Sequence, residues 1–98
     1  MFAKTRQTAM ELAKQVAADF PPSLQGLSGR KAADMYQRTS SQLRQRVQAI
    51  QKEERMGLFR RIVFARTLQK EFVTIGYHGA LVRQLMSEAL TALTFGNR

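Results

Sequence analysis

Between Arg30 and Ile75 apolar residues return every three or four positions. On a helix turning about 100° per residue, with Arg30 at zero, Tyr36, Leu43, Val47, Ile50, Leu58, Phe64, Ala65, Leu68, Phe72 and Ile75 fall within an arc of roughly 160° to 280°. The period is helical, not the alternation of a strand. It predicts one long central amphipathic helix over about 30–75. Gly57 is the only breaker inside it. One interior glycine costs about 1 kcal/mol relative to alanine, so a continuous helix is preferred over a break at Gly57. Such a rod would be about 70 Å long, more than the flanking helices could cover, and its apolar stripe would need a neighbour. A break at Gly57 would instead give four shorter helices able to close on one another.

The flanks are helical too. Phe2, Ala9, Ala13, Val16 and Phe20 share a stripe, predicting a first helix over about 3–19 that Pro21 and Pro22 end. In the loop over 20–29, Leu24 and Leu27 are expected to pack back on the core, and Ser28 to cap the next helix. Gly76 fits the left-handed position after a helix end, with Tyr77 placed to touch Phe72 in a Schellman-type cap. After the turn at 76–79, Leu81, Val82, Leu85, Met86, Ala89, Leu90 and Leu93 give a last helix over about 80–94 a wide apolar face, extended by Phe95 and stopped at Gly96. The expected fold is therefore all-α, one domain over 1–98: a helical hairpin or bundle built on the long central helix, flanked by a shorter N-terminal and a C-terminal helix.

Charge changes the picture. The net charge is +9, and the segment from Arg30 to Lys70 holds eleven basic residues against three acids, a net of +8. Arg30, Lys31, Arg38, Arg44, Lys52, Arg55, Arg66 and Lys70 lie on the side opposite the apolar stripe, and become candidate contacts for an anionic partner. Asp34 alone among the acids stands four residues from basic neighbours, Arg30 and Arg38. From Met56 to Ala65 the helix is apolar nearly all round, because Met56, Phe59, Ile62 and Val63 fall on the otherwise basic face. Together with Leu85, Met86 and Leu90 of the last helix, they are candidate protein-interface residues.

Catalytic chemistry is hard to assemble. His78 is the single histidine and there is no cysteine, so one chain offers no histidine cluster for a metal and no Ser-His-Asp arrangement. Glu53 and Glu54 are adjacent and point apart on a helix. The run Gly26-Leu27-Ser28-Gly29-Arg30-Lys31 lacks the strand and spacing of a P-loop, though a helix start followed by two cations can hold an anion. The sequence reading is a non-enzyme without cofactor, metal or small-molecule substrate. It describes a small basic helical subunit of a larger assembly, its apolar face on protein and its basic face on RNA of a ribonucleoprotein. The alternatives are a free-standing dimeric DNA-binding protein of phage or plasmid regulator type, and a scaffold or chaperone for an acidic protein. Other protein subunits, a second copy, nucleic acid or, less well, anionic lipid are the expected partners. Phe59 is the one aromatic on the basic side, which argues against base stacking on single strands.

Leu58-Phe59-Arg60, followed by Arg61, Ile62, Val63 and Arg66, resembles the Leu-Tyr-Arg tripeptide of a family of small mitochondrial helical proteins. That resemblance implies an accessory subunit or assembly factor, often bound to acyl carrier protein. Here phenylalanine stands for the tyrosine and the tripeptide sits mid-chain, not in the first helix, so no functional residue is carried over. Lys4, Arg6 and Lys14 on an amphipathic pattern are similar to an organellar presequence, while Glu11, Asp19 and the lack of serine fit an ordinary first helix better. The compartment is left open as intracellular, cytoplasmic or organellar, mitochondrial included.

Overall fold

Four helices form where the periodicity places them, and the central stretch divides. The structure, a computed structural model, describes residues 2–26 and 28–95, with the backbone alone for Phe95. The helices are α1 (Ala3–Asp19), α2 (Arg30–Glu54), α3 (Leu58–Ile75) and α4 (Gly79–Phe95), and a 3₁₀ turn at Pro22–Leu24 lies between the first two. The expected packing of Leu27 and side chain of Phe95, and the stop at Gly96, lie outside the described residues.

The single helix over 30–75 is corrected to two helices in opposite directions. The break rests on Arg55, which takes the left-handed conformation (φ 50°, ψ 55°). Its amide N–H donates to the Gln51 carbonyl, as does that of Met56 at 3.4 Å. This is a helix C-cap of the kind glycine usually makes, here built on arginine. Gly57 follows in extended backbone and stands at the N-cap of α3. Met56, between them, is buried, and its carbonyl accepts from the Arg61 guanidinium at 3.1 Å. The radius of gyration, 13.0 Å, is that of a closed domain of about 100 residues.

α1 packs mainly on α3 and α2 mainly on α4; α3 and α4 share a third interface, and α1 meets α2 more sparsely. α2 and α3, consecutive in sequence, barely touch and lie across the bundle from each other. Small residues on α1 (Ala9, Ala13) face a core whose largest buried side chains are Phe64, Phe72, Leu12, Leu43, Leu68 and Leu85. Such small-against-large packing lets two helices approach closely without voids. α3 is rich in β-branched residues, which form helix less readily. Its place is held by Phe64, Leu68 and Phe72, one stripe at four-residue spacing and fully buried.

The opposite end of the bundle is tied by side chains from a loop. The α3 end is the Schellman cap read from the sequence: Gly76 has φ 118°, its N–H donates to Val73, and the Tyr77 N–H donates to Phe72. The Phe72 and Tyr77 rings meet edge to face at 5.8 Å. The Tyr77 hydroxyl donates to the carbonyl of Phe20 at the end of α1. Gln25 clamps the same turn, its Nε2 donating to the Gly76 carbonyl at 2.9 Å while its Oε1 accepts the His78 N–H at 2.8 Å. Leu24 packs on the core as expected. Ser28 does not cap α2; Gly29 (φ 107°) holds that position, with no side-chain hydrogen bond.

α2 is the least apolar contributor. Over its 25 residues only Leu43 and Val47 are buried hydrophobics, beside Thr39, Ser40 and Gln51. The Ser40 hydroxyl and both ends of the Gln51 amide are buried without a hydrogen-bond partner, which costs more than an apolar side chain of the same shape.

Two outcomes follow for stability. Gln51→Met, close to isosteric, should raise the unfolding free energy by about 1–3 kcal/mol, read from urea unfolding; a loss would show that the amide is satisfied. Burial first, and then the Asp19 carboxylate, push the Tyr77 pKa from 10.0 up to about 12. The fold thus favours the neutral phenol. That contribution is complete below the unfolded value near pH 10 and is lost as pH rises through about 12. In Tyr77→Phe this part of the alkaline destabilisation should vanish, so the stability gap between the two proteins should narrow as pH rises from 10.0 to about 12.

Candidate functional site

Closing the bundle turns α2's polar side outward. Lys31, Arg38, Gln45 and Lys52 stand seven residues apart and are all exposed, so they form a line with a step of about 10.5 Å. Arg30 joins it at the start and Arg55 at the end, both exposed. Among the described residues two ion pairs form, Arg44–Glu88 at 3.1 Å and Arg46–Asp19 at 3.4 Å. Arg44 therefore already has a carboxylate and is the weakest of the candidate phosphate contacts. Asp34 makes no ion pair with Arg30 or Arg38, despite the spacing. The remaining candidates on α2, namely Arg30, Lys31, Arg38 and Lys52, share one side of the helix, and Arg55 follows at its C-cap. Arg66 and Lys70 do not belong to that line; both are exposed on α3, across the bundle.

The expected protein interface divides. Met56, Leu85 and Met86 are corrected to members of the chain's own core, 3%, 0% and 7% exposed. The reversal at Arg55 folds Met56 inward, and α4 spends its wide apolar face on α2 and α3. Phe59, Ile62 and Leu90 remain on the surface, 73%, 45% and 47% exposed, and are joined by Leu58 and Val73; Val63 is half-buried. Ile62, Arg66, Gln69 and Val73 lie along one edge of α3 at helical spacing. That edge borders a groove of about 600 Å³ between α3 and α4, lined by Ala65, Arg66, Gln69, Arg83, Met86, Ser87, Leu90, Thr91 and Thr94. Its charged residues are both arginines. The groove thus joins exposed apolar surface to positive charge, a pairing that phosphate alone would not use.

Sequence reasoning missed Arg83 and Val73. Arg83 was visible only as an isolated cation on an apolar helix, and Val73 falls outside the Met56–Ala65 stretch. His78 is exposed and enters the fold through its backbone, its N–H donating to Gln25 and its carbonyl accepting from the Val82 N–H. Among the described residues no group of three or more His, Cys, Asp or Glu is placed to hold a metal, and no helix is long and apolar enough to cross a membrane.

The division between core and surface is measurable. Phe59→Ser and Ile62→Ser should change the unfolding free energy by no more than about 0.5 kcal/mol, whereas Leu85→Ala should cost about 2–5 kcal/mol. Equal losses in thermal or urea unfolding would place Phe59 and Ile62 inside a packed interface. Comparison with protein-family models, with curated proteins and with solved structures finds no match.

Proposed function

We propose that this chain is a non-catalytic binding module, a subunit of a larger assembly that lays the outer side of α2 along a polyanion, RNA first. The observation that carries the reading is the line Lys31, Arg38, Lys52 on one helix, with Arg30 at its start and Arg55 just past its end, all exposed and without carboxylate partners among the described residues. Cations so arranged contact phosphates and fix position without reading bases. The outward residues between them, Gln45 and Gln48, add hydrogen-bond capacity but no stacking surface, which favours a structured or duplex backbone over a splayed single strand. The α3–α4 groove supports the second half of the proposal, a protein neighbour against Ile62, Val73 and Leu90.

Neutralising phosphates releases counterions, so affinity should fall steeply with salt. Fluorescence anisotropy with a labelled RNA hairpin should give a linear fall of log affinity against log salt. Replacing Lys31, Arg38 and Lys52 together by glutamine should flatten that slope by about 2–3 and weaken binding to unrelated sequences equally. The same substitutions on Arg66 and Lys70 should change it less. Binding that ignores salt, or a loss confined to one sequence, would overturn the proposal.

A further inference from the structure

The reversal at Arg55–Gly57 divides the chain into halves, α1–α2 and α3–α4, and most packing runs between the halves. α1 on α3 and α2 on α4 are the two most extensive interfaces. The Tyr77–Phe20 bond, both Gln25 bonds and the Arg44–Glu88 pair also join one half to the other. α2 and α3 barely touch. Their opposed directions are therefore set by the connection and by the packing of each on α1 and α4, not by contacts with each other.

That connection is poorly committed to reversal. Arg55 holds a left-handed conformation unfavourable for a residue with a Cβ, and Gly57 sits in extended backbone with open space where a Cβ would be. Were residues 55–57 helical, α2 and α3 would fuse, and their buried sides would nearly coincide. The direction set by Leu43 and Val47 and that set by Phe64, Leu68 and Phe72 differ by only about 40° on one continuous helix. The stripe that reads as one helix in the sequence would then be one helix.

We infer that the chain has a second form, a domain-swapped dimer in which 55–57 are helical and the α1–α2 half of one copy packs on the α3–α4 half of another. The occupant of each half is a second copy of this chain, because every contact between halves is kept and merely becomes intermolecular. Straightening relieves Arg55 and places Gly57 inside a helix, so these two residues set the balance between the forms. No anion is required, so the inference stands or falls apart from the polyanion reading.

The test is chromatography with light scattering across a concentration series on wild type, Gly57→Ala and Arg55→Gly. Alanine fits the extended conformation at 57 and meets no atom within 4 Å, so the monomer tolerates it, while its helix preference should tighten dimerisation about 10-fold or more. Arg55→Gly removes the strain from the reversed form and weakens the straight one, and should abolish any dimer. In the dimer the ¹³Cα shifts of residues 55–57 should become helical, and X-ray scattering should exceed the monomer's 13.0 Å radius of gyration by far more than a side-by-side pair would. Dimer populations that do not respond to either substitution, or a dimer whose Arg55 keeps its left-handed shift, would overturn the inference.

Discussion

Three residues, Arg55 to Gly57, decide what kind of object this chain is. The apolar side of 30–75 is continuous in sequence. Unbroken, it would run along a rod some 70 Å long and wait for other molecules. Bent back at Arg55, it closes round α1 and α4: Leu43 and Val47 on one arm and Phe64, Leu68 and Phe72 on the other reach zero exposure within a single copy. The unfavourable backbone of one arginine is small beside the burial of these five side chains, each worth about 1.5–3 kcal/mol when removed from water. Burial decides the conformation, and the local preference yields.

The reversal needs a fixed opposite end, or the two halves would slide. Phe20, Tyr77 and Phe72 supply it, their rings meeting at 6.5 Å and 5.8 Å, with Tyr36 edge-on to Phe20 from α2. Residues from the end of α1, from α2, from α3 and from the α3–α4 turn thus meet at one corner. Gln25 completes it by satisfying one acceptor and one donor of the α3–α4 turn, backbone groups that a helix leaves open at its ends. Aromatic packing sets the depth of the helices and the amide sets their register.

Which of these features the sequence reveals depends on how far apart the interacting residues lie. The Gly76 cap is legible because it is local: a glycine, an apolar residue after it and Phe72 five positions before that residue are all it needs. The helices are legible because their period reports one buried side each. The break at Arg55 is not, because the left-handed position is held by a residue that ordinarily continues a helix, while Gly57, the visible breaker, takes a conformation any residue adopts. The Gln25 clamp joins residues more than fifty positions apart, and nothing in a polar loop residue announces it. For the surfaces, periodicity separates cation from core along α2. It misassigns Met56, Leu85 and Met86, because exposure there depends on which helix lies opposite.

The cost of carrying so much positive charge is an argument about spacing. Lys31, Arg38 and Lys52 lie one and two steps apart on a line whose step is about 10.5 Å, beyond the roughly 8 Å over which exposed charges feel one another at physiological salt. Their mutual repulsion is largely screened, and the fold bears the array at little cost. Beyond the adjacent Arg30 and Lys31, a free anion would feel one cation at a time and gain little. A polymer of phosphates meets several at once and gathers the counterion release of each contact. On the proposed reading, an array too sparse to trouble the fold and long enough to span a helix would discriminate by the length and continuity of its partner, favouring polymers over monomers of the same charge.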